Sequence, residues 1–192
     1  MAKRANEAMQ PRGTGAGSLL CVSPLLPGRG IDTLLTAVGL LSHERPALRL
    51  AIVGDGPLAS ELRGLAGALG VEDRISFPGP LPVPDVRKAL RRCSMLVHPS
   101  SLEDLAGHYG LSGLLAEAMT CGTPVVTTDA CLPNMVRSDT TGVLVAPHSP
   151  AGLATAVAAL LDDPVRAAGI GAAGRRLIAR RQDRNDVVRS RS

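Results

Sequence analysis

With 192 residues, 45% of them hydrophobic and 20% charged, the chain is long enough for one domain, or two small ones, around a real core. Aromatic residues make up 1% (Phe77, Tyr109 and no Trp), which argues against nucleic-acid binding, because base stacking needs aromatic platforms. The net charge of +4 sits at the C-terminus: Arg175–Ser192 holds seven Arg against Asp183 and Asp186, a net of +5, and residues 1–174 carry −1.

Residues 1–17 mix Gly, Pro and charge without a period and read as a mobile lead-in. A strand–helix alternation follows. Ser18–Ser23 is an apolar strand, succeeded by a Pro/Gly loop and a helix from Ile31 to about Ser42. Leu48–Val53 is a second strand, ended by Gly54-Asp55-Gly56, with Pro57 expected as the first residue of the next helix and Gly70 as its C-terminal cap. Arg74–Phe77 reads as a third strand and Asp85–Cys93 as a short helix. Met95–His98 and Val125–Thr128 are further strands, with a helix near Leu111–Thr120 between them. Val143–Val145 closes the strand set. Ser149-Pro150 and Asp163-Pro164 each pair a capping residue with Pro ahead of an Ala/Leu-rich helix. Strands this apolar, separated by helices, predict a three-layer α/β domain with a doubly wound, Rossmann-like parallel sheet spanning 18–181, followed by a basic tail at 182–192.

No apolar run approaches the roughly 20 residues of a membrane-spanning helix. The longest, Leu153–Leu161, is broken by Thr155. Lys3 and Arg4 have no apolar segment behind them, so no secretory leader is expected. Cys21, Cys93, Cys121 and Cys131 show neither Cys-x-x-Cys pairing nor metal-ligand spacing with the four His. They read as reduced, mostly buried thiols of a cytoplasmic protein, with no metal site.

In doubly wound folds ligands lie at the carboxyl ends of the strands, near the point where strand order reverses. The loop Ser23–Gly30 is one such place. Gly28 and Gly30 permit close backbone approach, Arg29 supplies a forked cation, and a helix N-terminus follows. This combination suits a phosphate or diphosphate, although a plain turn with a solvated Arg fits the same residues. On the helix near Leu111–Thr120, Leu111, Leu114, Leu115, Ala118 and Met119 share one face. Glu117 lies off it, either solvated or facing a cleft where its carboxylate could accept two hydrogen bonds from a ribose diol.

Five stretches in order carry a resemblance: Pro27–Leu35, Ala51–Leu58, His98–Ser100, Leu115–Val126 and Thr141–Val145. From about Leu19 to Val188 the chain resembles the C-terminal, donor-binding half of a GT-B glycosyltransferase of the retaining family 4 (group 1). The resemblance implies a nucleotide-diphosphate sugar as ligand (a UDP-, GDP- or ADP-sugar) and no cofactor. It places Arg29 on the diphosphate and Glu117 on the ribose, within a donor-binding set of Gly28, Arg29, Gly30, Gly110, Leu111, Ser112 and Glu117. The family's first Glu, on the donor sugar, falls on Tyr109 in a gapless count, which keeps Gly110 in its expected place. With a six-residue insertion it falls on Glu103. A second basic residue of the family is replaced by Pro24, and the family's Gly-Gly and Pro-Glu pattern after the fifth strand is altered to Ala130–Asn134.

Family members carry an N-terminal acceptor-binding domain, whereas some 17 residues precede the first strand of this sequence. The resemblance therefore implies turnover only with a separate acceptor-binding chain, and no catalytic residue is assigned. The Arg-rich tail is a solvated helix end, or a docking surface for that partner or for an anionic membrane surface. A second reading is a degenerate, non-catalytic nucleotide-sugar-binding module, since Pro24, Tyr109 and Asn134 each remove a polar contact.

Overall fold

The computed structural model describes residues 17–100, 111–128 and 135–189. The lead-in at 1–16, together with Glu103, Tyr109, Gly110, Cys131 and Asn134, lies outside them. Within the described residues six strands form one parallel sheet: β1 (Ser18–Val22), β2 (Arg49–Val53), β3 (Ile75–Gly79), β4 (Met95–His98), β5 (Val125–Thr128) and β6 (Val143–Val145). Their order is β3-β2-β1-β4-β5-β6, so the direction of winding reverses between β1 and β4. The pairing is direct, Leu19 opposite Leu50 on one side and opposite Met95 on the other.

Helices cover both faces: α1 (Ile31–Leu41), α2 (Ala59–Ala68), α3 (Val83–Leu90), α4 (Leu111–Cys121), α5 (Pro150–Asp162) and α6 (Pro164–Arg189). The strands alternate strictly between two cores. Leu19, Cys21, Leu50, Ile52, Met95, Val97 and Val126 point to one layer, where Leu34, Leu35 and Val38 of α1, Leu62 of α2 and Val157 of α5 meet them. Leu20, Ala51, Val53, Leu96 and Val125 point to the other, against Leu90 of α3, Leu115, Ala118 and Met119 of α4, and Ile178 of α6. Two apolar faces are what a strand buried on both sides requires, which is why these runs lack polar alternation. The three-layer, Rossmann-like half-domain expected from the sequence is the fold observed.

The caps follow local chemistry. Gly70, at φ 66°, ends α2 with its N–H on the Gly67 carbonyl at 2.9 Å and the Val71 N–H on that of Ala66 at 3.0 Å. Ser149 Oγ accepts from the Gly152 N–H at 3.1 Å, and Asp163 Oδ1 from the Arg166 N–H at 2.8 Å.

Three expectations are corrected. Pro57 does not begin α2: a turn closed by the Ala59 N–H on the Gly56 carbonyl (3.1 Å) comes first, and the helix starts at Ala59. Helix α3 runs Val83–Leu90 rather than 85–93, entered from an extended Pro82 with Pro84 in its first turn. Of the thiols, Cys21 is fully buried but Cys93 and Cys121 are only partly so.

The last helix passes from one layer to the other, with Ala167 and Ile170 in the first core and Ile178 in the second. It crosses the end of α4 so closely that a Cβ on Gly171 would lie 2.9 Å from the Gly122 carbonyl carbon. Arg175 then donates from Nη2 to the Cys121 carbonyl at 2.6 Å, placing a cation at the negative end of α4. The helix continues to Arg189, through the segment the sequence reading sets apart from 182.

Candidate functional site

Where winding reverses, the loop leaving β1 is fixed by its neighbours. The Ser23 N–H donates to the Val53 carbonyl (2.9 Å) and the Leu25 N–H to that of Asp55 (3.0 Å), while the Leu58 N–H returns to Leu25 (3.1 Å). The Leu25 side chain is buried below. Residues 23–25 and the turn after β2 therefore form one rigid ledge, and Pro24 is an exposed position on it.

Beyond the ledge, Gly30 adopts φ 66° and caps α1 without a side-chain hydrogen bond. A Cβ there would lie 2.9 Å from the Pro99 carbonyl carbon and closer still to its oxygen. Only glycine lets the start of α1 sit this tightly on the exit of β4. The first amides of α1 have no intrahelical acceptor, since the first helical bond is Leu34 N–H to the Gly30 carbonyl at 3.0 Å. Arg29 stands at this junction, half-buried, and its Nε is buried without a hydrogen-bond partner. A buried guanidinium N–H left unpaired beside a helix N-terminus is a place for an anion's oxygen.

The exit of β4 is itself stiff. His98 and Ser100 are both buried, and Ser100 Oγ lies 2.9 Å from His98 Nε2. The Thr127 hydroxyl donates to the His98 carbonyl at 2.9 Å and the Thr128 hydroxyl to that of Ser100, tying the loop to β5.

Glu103, Tyr109 and Gly110 lie outside the described residues, and Leu111 and Ser112 supply the first turn of α4. Glu117, two turns into that helix, stands off the buried face as expected. It is held by Arg87 of α3, whose Nε and Nη2 meet Oε2 and Oε1 at 2.7 and 2.8 Å. The hydrogen-bonded guanidinium keeps the Glu117 carboxyl below the usual carboxylate range, and the carboxylate raises Arg87 in turn. Sequence reasoning missed Arg87: the partners are 30 positions apart, and nothing local marks the residue. In the middle of β3, Arg63 covers the Phe77 ring with its guanidinium carbon 4.6 Å from the centroid, so that face of the only Phe is taken.

A cavity of about 390 Å³ opens between α1 and α2, lined by Leu26, Gly28, Leu62, Asp32 and Glu61 among others. Two acidic walls make it a poor receptacle for a diphosphate, and Arg29 does not line it. Among the described residues no group of three His, Cys, Asp or Glu could hold a metal ion, and no helix is long and apolar enough to cross a membrane.

The profile of a family described as glycosyl transferases group 1 matches residues 16–163. The chain is 33% identical over 159 residues to a GDP-mannose-dependent alpha-(1-6)-phosphatidylinositol monomannoside mannosyltransferase of Mycolicibacterium smegmatis, a match covering 82% of this chain and 42% of that protein. Among solved structures, the C-terminal domain of the group 1 family protein LpcC from Francisella tularensis superposes with a TM-score of 0.75 at 19% identity, covering 92% of this chain and 91% of that one. Anabaena Alr3699/HepE, in complex with UDP and glucose, superposes at 0.78 and 22% identity, covering 99% and 53%. The chain thus spans less than half the length of the curated relative it matches.

Proposed function

Because the chain belongs to the glycosyl transferases group 1 family, we propose that it is the donor-binding half of a hexosyl-transferring enzyme, taking a nucleotide-diphosphate sugar at the junction of β1 and β4. The observation that carries this reading is Arg29, whose buried Nε lacks a partner beside the uncapped N-terminus of α1. The diphosphate lies on that amide-and-guanidinium cradle, where charge-assisted bonds act at close range. The ribose diol is received by Glu117. The sugar is held by the segment carrying Glu103 and Tyr109 with Gly110, and by the first turn of α4 at Leu111 and Ser112. Gly28 lets the ligand approach the backbone, while Gly30 lets the start of α1 close on the exit of β4. The relatives support a nucleotide sugar without fixing the base: one acts with GDP-mannose and another structure holds UDP.

Acceptor binding is assigned to sequence outside these residues, because transfer requires donor and acceptor to be held together. A second reading, a binding module without catalysis, is favoured by Pro24, which places no cation on the ledge where the family has one.

The test is a thermal-shift screen of the chain with UDP, GDP, ADP and TDP and their sugar conjugates. A ligand at 100 times its Kd stabilises by about 2.7 kcal/mol, or about 5–11 °C at this size. A shift with one nucleotide identifies the donor class. A chain that melts cooperatively and responds to none of them refutes the donor-site assignment.

A further inference from the structure

Glu117 is not waiting empty for a ligand. Its two oxygens face Nε and Nη2 of Arg87 at 2.7 and 2.8 Å, the side-on fork in which two parallel N–H groups meet a carboxylate. A carboxylate offers about four lone-pair directions. Two converge on the region in front of the group, and two diverge to either side. The guanidinium fork uses the converging pair. A vicinal diol reaches both oxygens only through that same pair, because its two hydroxyls are adjacent. The fork and the diol cannot occupy it together.

Resting on the reading of Glu117 as the ribose acceptor, we propose that Arg87 is a competing occupant of that carboxylate, so that a bound ribose diol must displace its guanidinium and Arg87 sets the affinity of the ribose subsite.

The surroundings favour exchange. The side chains are 45% exposed for Arg87 and 35% for Glu117, so the pair is screened by water and held weakly. Apart from Glu117, no hydrogen bond of the Arg87 guanidinium is found among the described residues. Its backbone is fixed in α3, with its carbonyl accepting from the Arg91 N–H at 3.2 Å and facing Cys121 Sγ at 4.0 Å. Displacement is thus a side-chain rotation and asks nothing of the fold. The Arg91 charge also favours the ionised Glu117 carboxylate, though less than Arg87 does. Arg87 touches no ligand atom in this scheme; it acts through Glu117.

The experiment is isothermal titration calorimetry of the full chain with UDP, GDP and ADP and with their 2′-deoxy counterparts. Four forms are compared: the unaltered chain, Arg87→Gln, Glu117→Gln and the double variant. Arg87→Gln should tighten ribonucleotide binding by about two- to fivefold, tighten the deoxy series less, and change nothing in the Glu117→Gln background. Weaker or unchanged ribonucleotide binding in Arg87→Gln overturns the proposal, since the fork would then be supporting the site or irrelevant to it. An equal change in both backgrounds or both sugar series does so too, because Arg87 would then act as a general charge. If Glu117→Gln binds every nucleotide as the unaltered chain does, it is the assignment of Glu117 that fails. If the unaltered chain binds none of the six, both fail.

Discussion

Replacing Gly30 with alanine should destabilise the protein by an amount the geometry lets us work out. Two terms add. A left-handed residue carrying a Cβ costs roughly 1–2 kcal/mol, and Gly30 sits at φ 66°. The new methyl would also stand 2.9 Å from the Pro99 carbonyl carbon and 3.2 Å from its Cβ. Reaching a normal separation of about 3.5–4.0 Å needs a retreat of more than about 1 Å, because the carbonyl oxygen is closer still. Pro99 cannot make it freely, because the flanking His98 and Ser100 carbonyls are tied to Thr127 and Thr128. Overpacking of this kind costs about 1–3 kcal/mol. The total of about 2–5 kcal/mol is a large share of a typical 5–15 kcal/mol, and lowers Tm by about 4–20 °C at this size. Thermal denaturation followed by circular dichroism measures it, with Gly64→Ala as the control. Gly64 lies inside α2 with nothing within 4 Å of a built Cβ, so alanine there should gain about 0.5–1 kcal/mol. Two variants that melt alike would refute the claim that the β1 and β4 exits are locked by this contact.

Arg29→Ala should weaken binding of the nucleotide diphosphate identified by screening by about 1.5–3 kcal/mol, roughly 10- to 150-fold in titration calorimetry, while Tm stays put because no protein hydrogen bond of its Nε is lost. An unchanged affinity would sink the diphosphate assignment. Burial pushes the Cys21 and Cys93 thiols up to about 12, against 9.0 ordinarily. Below pH 9 both folded and unfolded chains keep these protons. Above it only the unfolded chain sheds them, so stability falls as pH rises from 9 towards 12, approaching about 1.4 kcal/mol per pH unit for each thiol. Urea melts of the parent and of Cys21→Ala between pH 8 and 10.5 should show a shallower decline in the variant, and identical slopes would contradict the buried-thiol account. Ser149→Ala removes the cap on the Gly152 N–H and should cost about 1 kcal/mol, whereas Ser149→Asp should restore most of it in the same melts.

Much of the fold was readable because each strand is a run with two apolar faces. Residues such as Leu19 and Leu20, adjacent and both buried, leave little room for another assignment. The misplacements came where local preference meets a long-range partner. Pro57 suits a first helical turn, yet the Leu58 N–H bonds back to Leu25, and that link holds the chain in a turn two residues longer. Arg29 and Gly30 could be singled out because a loop between strand and helix has a limited set of jobs. Arg87 could not, because its importance comes from a carboxylate on another helix. The close approach of Gly171 to Gly122 was equally hidden, being a meeting of two helices with no local signature.

The passage of α6 from one layer to the other bears on how the chain acquires its structure during synthesis. Ala167 and Ile170 complete the first core and Ile178 the second. Among the described residues, all six strands and five of the helices are translated before these positions. One late-translated helix therefore supplies side chains to both layers, and neither core has its full set until that helix has been made.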